Sequence, residues 1–72
     1  MTKLRFVLRK LSFTGRQLAD MCGMSRSSVY KYLSGDRELS LKTARARFEP
    51  VLGVSAEELV GMYEPDEVGK KH

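Results

Sequence analysis

The sequence predicts an all-α fold of five short helices, and three observations predict it. Apolar residues recur at helical spacing through the first half of the chain. Hydroxyl residues that can cap a helix stand at Thr14, Ser25, Ser40 and Ser55, each directly before a helical pattern. No strand-like alternation of useful length, internal repeat or low-complexity stretch interrupts the pattern.

Each element follows from its own residues. Leu4, Leu8 and Leu11 (i, i+4, i+7) form the inward stripe of helix 1, with Arg5, Arg9 and Lys10 outside it. Helix 2 opens at Thr14, and Gln17 three residues on completes a capping box. Ser25 caps helix 3 and Ser40 caps helix 4. Pro50 has no N–H and would clash with the carbonyl of Ala46, so helix 4 is expected to end or kink near Phe48. Ser55 with Glu58 makes a second capping box, for helix 5. The domain is therefore expected to span residues 1–60. The tail 61–72, GMYEPDEVGKKH, is expected to be extended or disordered at its end, with Met62, Tyr63 and Val68 as apolar residues that pack on the domain or on a second subunit.

The window Gly15 to Ser34 carries most of the functional information. Ala19 lies four residues before Gly23, and its small side chain lets a second helix approach closely. Gly23 can take the positive φ that ends one helix and reverses the chain. Leu18 and Cys22 share a face of the first helix, while Val29, Tyr32 and Leu33 face inward from the second. Arg26, Ser27, Ser28, Tyr30 and Lys31 are left pointing to solvent.

With these residues the window resembles the helix-turn-helix of the lambda repressor and Cro class, the XRE type. The matching places are the small Ala19, the turn residue Gly23, and the apolar Leu18, Cys22, Met24, Val29 and Tyr32. YLSGDRELS resembles the family's loop after the recognition helix, and LGVSAEEL its final short helix, so the likeness covers about Leu4 to Val60. The resemblance implies a lambda repressor-like DNA-binding domain whose helix-turn-helix is formed by helices 2 and 3. Two departures stand out. Relatives often carry glutamine where this chain has Gly15, and the interval from Ser40 to Gly53 is one residue longer than is usual in the family.

Composition agrees with that reading. The 72 residues suffice for one small helical domain and are too few for a second, ligand-sensing one. The net charge of +4 hides an asymmetry: residues 1–47 hold eleven Lys or Arg against three acidic residues (+8), and residues 48–72 hold two against six (−4). A basic half of this kind favours a polyanion, and duplex DNA is the one whose groove admits a helix. No run of 18 apolar residues, signal-like segment or aromatic amphipathic stripe points to a membrane. The single Cys22 forms no intrachain disulfide and belongs to no zinc-ligand cluster; on the inward side of helix 2 it reads as a small core residue rather than a redox switch, and the protein as cytoplasmic. No metal or cofactor is expected.

Placed by the resemblance, Ser25, Arg26, Ser27 and Lys31 occupy the family's base-reading places, with Ser28 close by. Arg26 can give two parallel hydrogen bonds to guanine O6 and N7 and is the expected dominant reader. Its bland alternative is a solvated helix-start residue. Lys31 is divided between base, phosphate and plain surface. Arg9, Arg16, Tyr30, Arg37 and the Gly15 amide are the candidate phosphate contacts, with stacking on the protein surface as the alternative for Tyr30. The expected function is a sequence-specific transcriptional regulator, foremost a Cro-like repressor acting as a homodimer on a partly palindromic operator. The alternative is an antitoxin-like interaction module that autoregulates through DNA; a polymerase or toxin partner is left open. An enzyme finds almost no support, because the one histidine is the terminal His72 and no nucleophile elbow, phosphate loop or paired acids stand at catalytic spacing.

Overall fold

The computed structural model describes residues 1–63, and within them a hydroxyl caps each of the first four helices. Thr2 opens α1 (Lys3–Leu11), its Oγ1 accepting the Arg5 N–H. Thr14 opens α2 (Gly15–Cys22) with a complete capping box: its hydroxyl accepts the Gln17 N–H at 3.1 Å, and its own N–H donates to Gln17 Oε1 at 2.9 Å. Ser25 caps α3 (Arg26–Ser34) and Ser40 caps α4 (Leu41–Thr43).

The fifth cap differs from expectation. Ser55 makes no side-chain cap, and Ala56–Glu58 is a single 3₁₀ turn rather than a fifth α-helix. The carboxylate of Glu49 accepts the Ala56 N–H at 2.7 Å, so the start of this turn is satisfied from another element.

The disturbance expected near Phe48 takes the form of a π-turn. The helix runs from α4 into a π segment, Ala44–Phe48, and on into α5 (Glu49–Leu52). Glu49 N–H bonds the Ala44 carbonyl, five residues back. A π-turn takes up one residue more than an α-turn, which matches the extra residue between Ser40 and Gly53. Pro50 falls in the first turn of α5, where a missing N–H costs least.

These helices close on one apolar core. Leu4, Leu18, Val29, Phe48 and Leu59 are its largest wholly buried side chains, and Tyr32 meets Phe48 edge-on, with ring centroids 6.1 Å apart. Leu11 departs from the expected inward stripe and is 42% exposed. The reason is local: α1 stops there, and Ser12 turns the chain away at φ 62°.

The end of the described chain folds back on its beginning. Thr2 and Met62 form an antiparallel bridge, Lys3 N–H donates to the Gly61 carbonyl at 3.0 Å, and Tyr63 N–H donates to the Met1 carbonyl at 2.8 Å. Tyr63 stacks on Phe6 with centroids 3.9 Å apart. Packing thus continues past the expected boundary at residue 60: Tyr63 lies against the domain itself, while Met62 is tied to it through its backbone and keeps its side chain exposed; Val68 and His72 lie outside the described residues.

Thr2 is buried, and its hydroxyl serves twice, capping α1 and donating to the Leu33 carbonyl near the end of α3 at 2.9 Å. Thr2→Val keeps the shape and removes both bonds, leaving a buried carbonyl unpaired, so a loss of about 1–3 kcal/mol is expected in urea unfolding. Thr2→Ser should recover most of it. Equal midpoints for Thr2→Val and the native chain would show that the hydroxyl contributes nothing.

Candidate nucleic-acid interface

The interface is organised by the turn between α2 and α3. Gly23 sits at φ 71°, and Met24 N–H closes the turn on the Ala19 carbonyl at 3.0 Å. Leu18, Ala19, Val29 and Tyr32 are buried, while Cys22 and Met24 pack half-buried against the core. Burial pushes the Cys22 thiol above its ordinary value, and its Sγ lies 3.9 Å from the Ala19 carbonyl oxygen, so the thiol stays protonated and acts as packing.

A Cβ on Gly23 would meet nothing within 4 Å, so any cost of substitution there comes from φ alone. Gly23→Ala is expected to cost about 1 kcal/mol and Gly23→Val more, because a β-branched residue resists positive φ. Unchanged melting temperatures in both would remove the conformational argument for this turn.

Turning Val29, Tyr32 and Leu33 inward leaves Arg26, Ser27, Tyr30, Lys31 and Ser34 exposed along one side of α3. Ser28 is half-buried. Ser25 Oγ accepts the Ser28 N–H and donates to Ser28 Oγ at 3.0 Å, so the Ser25 proton is used at the helix start while the Ser28 hydroxyl keeps its own proton to donate. Of the expected base readers, Ser25, Arg26, Ser27 and Lys31 are exposed and Ser28 alone is not.

The expected phosphate contacts fall in three places. Arg9, Gly15 and Tyr30 line one cavity of about 640 Å³ between α1, the start of α2 and α3, together with Ser27 and Lys31. Arg16 is exposed in the first turn of α2. Arg37 lies elsewhere, its guanidinium 5.4 Å from the Tyr32 ring centroid and on the wall of a smaller cavity with Thr2 and Met62. Two residues not singled out from the sequence, Arg5 and Asp36, also line the large cavity. The i, i+4 spacing of Arg5 and Arg9 was the available signal for the first; nothing local marks the second.

The structure also accounts for Gly15. A Cβ there would fall 2.7 Å from Tyr30 Cε1 and 2.8 Å from Leu33 Cδ1. The Tyr30 ring occupies the space that a longer residue would need, and Gly15 itself is buried.

Among the described residues no helix is long and apolar enough to cross a membrane, and no group of three or more His, Cys, Asp or Glu side chains is placed to hold a metal ion. Comparison with curated proteins and with solved structures returns no match. The family model described as helix-turn-helix matches residues 4–59, most of the chain and all of the elements that build this face. The chain belongs to the XRE-type, lambda repressor/Cro-like helix-turn-helix family, a family of DNA-binding regulatory domains that are not typically enzymatic.

Proposed function

We propose that the protein is a sequence-specific repressor that binds a partly palindromic operator as a homodimer in the cytoplasm. The observation that supports this most is the exposed row Arg26, Ser27 and Lys31 on a helix fixed by the Gly23 turn, with Arg9 on the wall of the cavity that Ser27 and Lys31 also line. In this reading Arg26 reads guanine, Ser27 and Lys31 make lesser base contacts, and Ser25 and Ser28 hold the helix start at the base edges. Arg9, Arg16, Tyr30, Arg37 and the backbone at Gly15 set the register on phosphates. One such helix covers few base pairs, so two copies with recognition helices about 34 Å apart supply the specificity. Repression follows from occupying a promoter.

Selection from a random duplex pool at near-physiological salt, with sedimentation of the winning complex, tests this. A two-fold symmetric site holding two chains is the expected result. Salt-sensitive retention with no enriched sequence would instead favour an antitoxin-like module whose chief partner is a protein.

A further inference from the structure

The smaller cavity, of about 200 Å³, lies between the loop that follows α3 and the bridge joining Thr2 to Met62. Its floor is the core itself: Leu4, Tyr32, Leu39 and Leu59 reach it from four parts of the chain, and all are buried. The charged groups on its wall are Arg37 and Glu38, and among the described residues neither is in an ion pair. The Arg37 guanidinium stands 5.4 Å from the Tyr32 ring centroid, a contact with π electrons rather than with an acceptor oxygen, so its N–H donors stay available for a carboxylate. The Thr2 hydroxyl on the same wall is already committed to the Arg5 N–H and the Leu33 carbonyl. An apolar floor under one free cation and one free anion is what this cavity offers a ligand.

We propose that the cavity binds a small apolar α-amino acid, with its carboxylate on Arg37, its ammonium on Glu38 and its side chain over Leu4, Leu39 and Leu59. Size sets the first limit. The volume falls below the roughly 300–1,000 Å³ usual for drug-sized ligands, which leaves room for a single amino acid and not for a nucleotide. Charge sets the second. Glu38 opposes a simple anion held by Arg37, whereas a zwitterion satisfies both groups with charge-assisted hydrogen bonds. The exposed Met62 side chain, an adaptable thioether, lines the same mouth and can close over ligands of slightly different shape. Because Arg37 cannot hold a carboxylate and a DNA phosphate at once, the bound amino acid weakens duplex binding. That competition, though not the binding itself, rests on the DNA-binding reading.

The test follows the amide shifts of the full chain as L-leucine, L-methionine or L-phenylalanine is added. Saturating shifts in the millimolar range at Gly35, Glu38 and Gly61 are expected with at least one of them. Arg37→Ala and Glu38→Gln should each weaken that binding on the order of tenfold, through loss of a hydrogen bond between charged groups. Both residues are exposed, so both variants should melt as the native chain does. Isocaproate, which is leucine without the amine, should bind the native chain more weakly than leucine does. If none of the three amino acids shifts these amides, or if both variants bind as the native chain does, the site is overturned. Isocaproate binding as tightly as leucine would overturn the amino-acid assignment. With duplex present, a saturating amino acid should weaken native binding several-fold, and amide shifts without that loss would overturn the competition at Arg37. A native chain that binds no duplex would fail the DNA reading, and the amide shifts would still decide the cavity.

Discussion

Phe48→Ala should leave most of the population unfolded at 37 °C. Phe48 has no solvent exposure, is the largest side chain so buried, and supports the Tyr32 ring on the inner side of the recognition helix. Truncation removes its transfer free energy and leaves a cavity, together about 3–5 kcal/mol. A chain of this length has little more than that in total, on the order of 3–5 kcal/mol from a single small core. At roughly 4–8 °C per kcal/mol for a small domain, the midpoint should fall by more than about 12 °C. Phe48→Leu keeps much of the volume and should cost distinctly less. Circular dichroism melts of the three proteins read this directly; a drop under about 5 °C for the alanine variant would mean that the π-turn lets the site collapse around the missing ring.

The second large effect is expected on recognition. Arg26→Ala should lose about 1–3 kcal/mol on the selected site and relax preference at one base position, while hardly changing affinity for random duplex beyond the loss of one charge. The reason is positional. Arg26 is the first residue of α3, directly after the Ser25 cap, and is exposed, so its guanidinium is carried at the N-terminal end of the helix, the end that the proposed reading puts in the groove. Arg26→Lys should recover the charge without the forked geometry and regain affinity for random duplex more than specificity. An equal loss on selected and random DNA for Arg26→Ala would assign this residue to the backbone, and Ser27 or Lys31 would then have to carry the discrimination.

The two variants probe opposite faces of one helix, and they differ in how far each was readable beforehand. The position of Arg26 follows from a cap and a turn that span only a few residues. The weight carried by Phe48 does not: the proline two residues on pointed to a disturbance, yet how the chain would absorb it depended on what packed against it. The same contrast separates Ser25, whose cap forms as its neighbours dictate, from Ser55, whose cap is replaced by Glu49.

By itself, then, the sequence determined the all-α class, the caps at Thr14, Ser25 and Ser40, the Gly23 turn and the outward row on α3, because each depends on partners within about one turn of helix. Only the tertiary structure decided the rest. The π-turn spreads one extra residue and a proline over a buried Phe48; Thr2 reaches Leu33, 31 residues away; and Tyr30 fills the space that Gly15 leaves, which shapes the basic cavity. These arrangements depend on which surfaces meet when the core closes, and local periodicity holds no record of partners that distant in the chain.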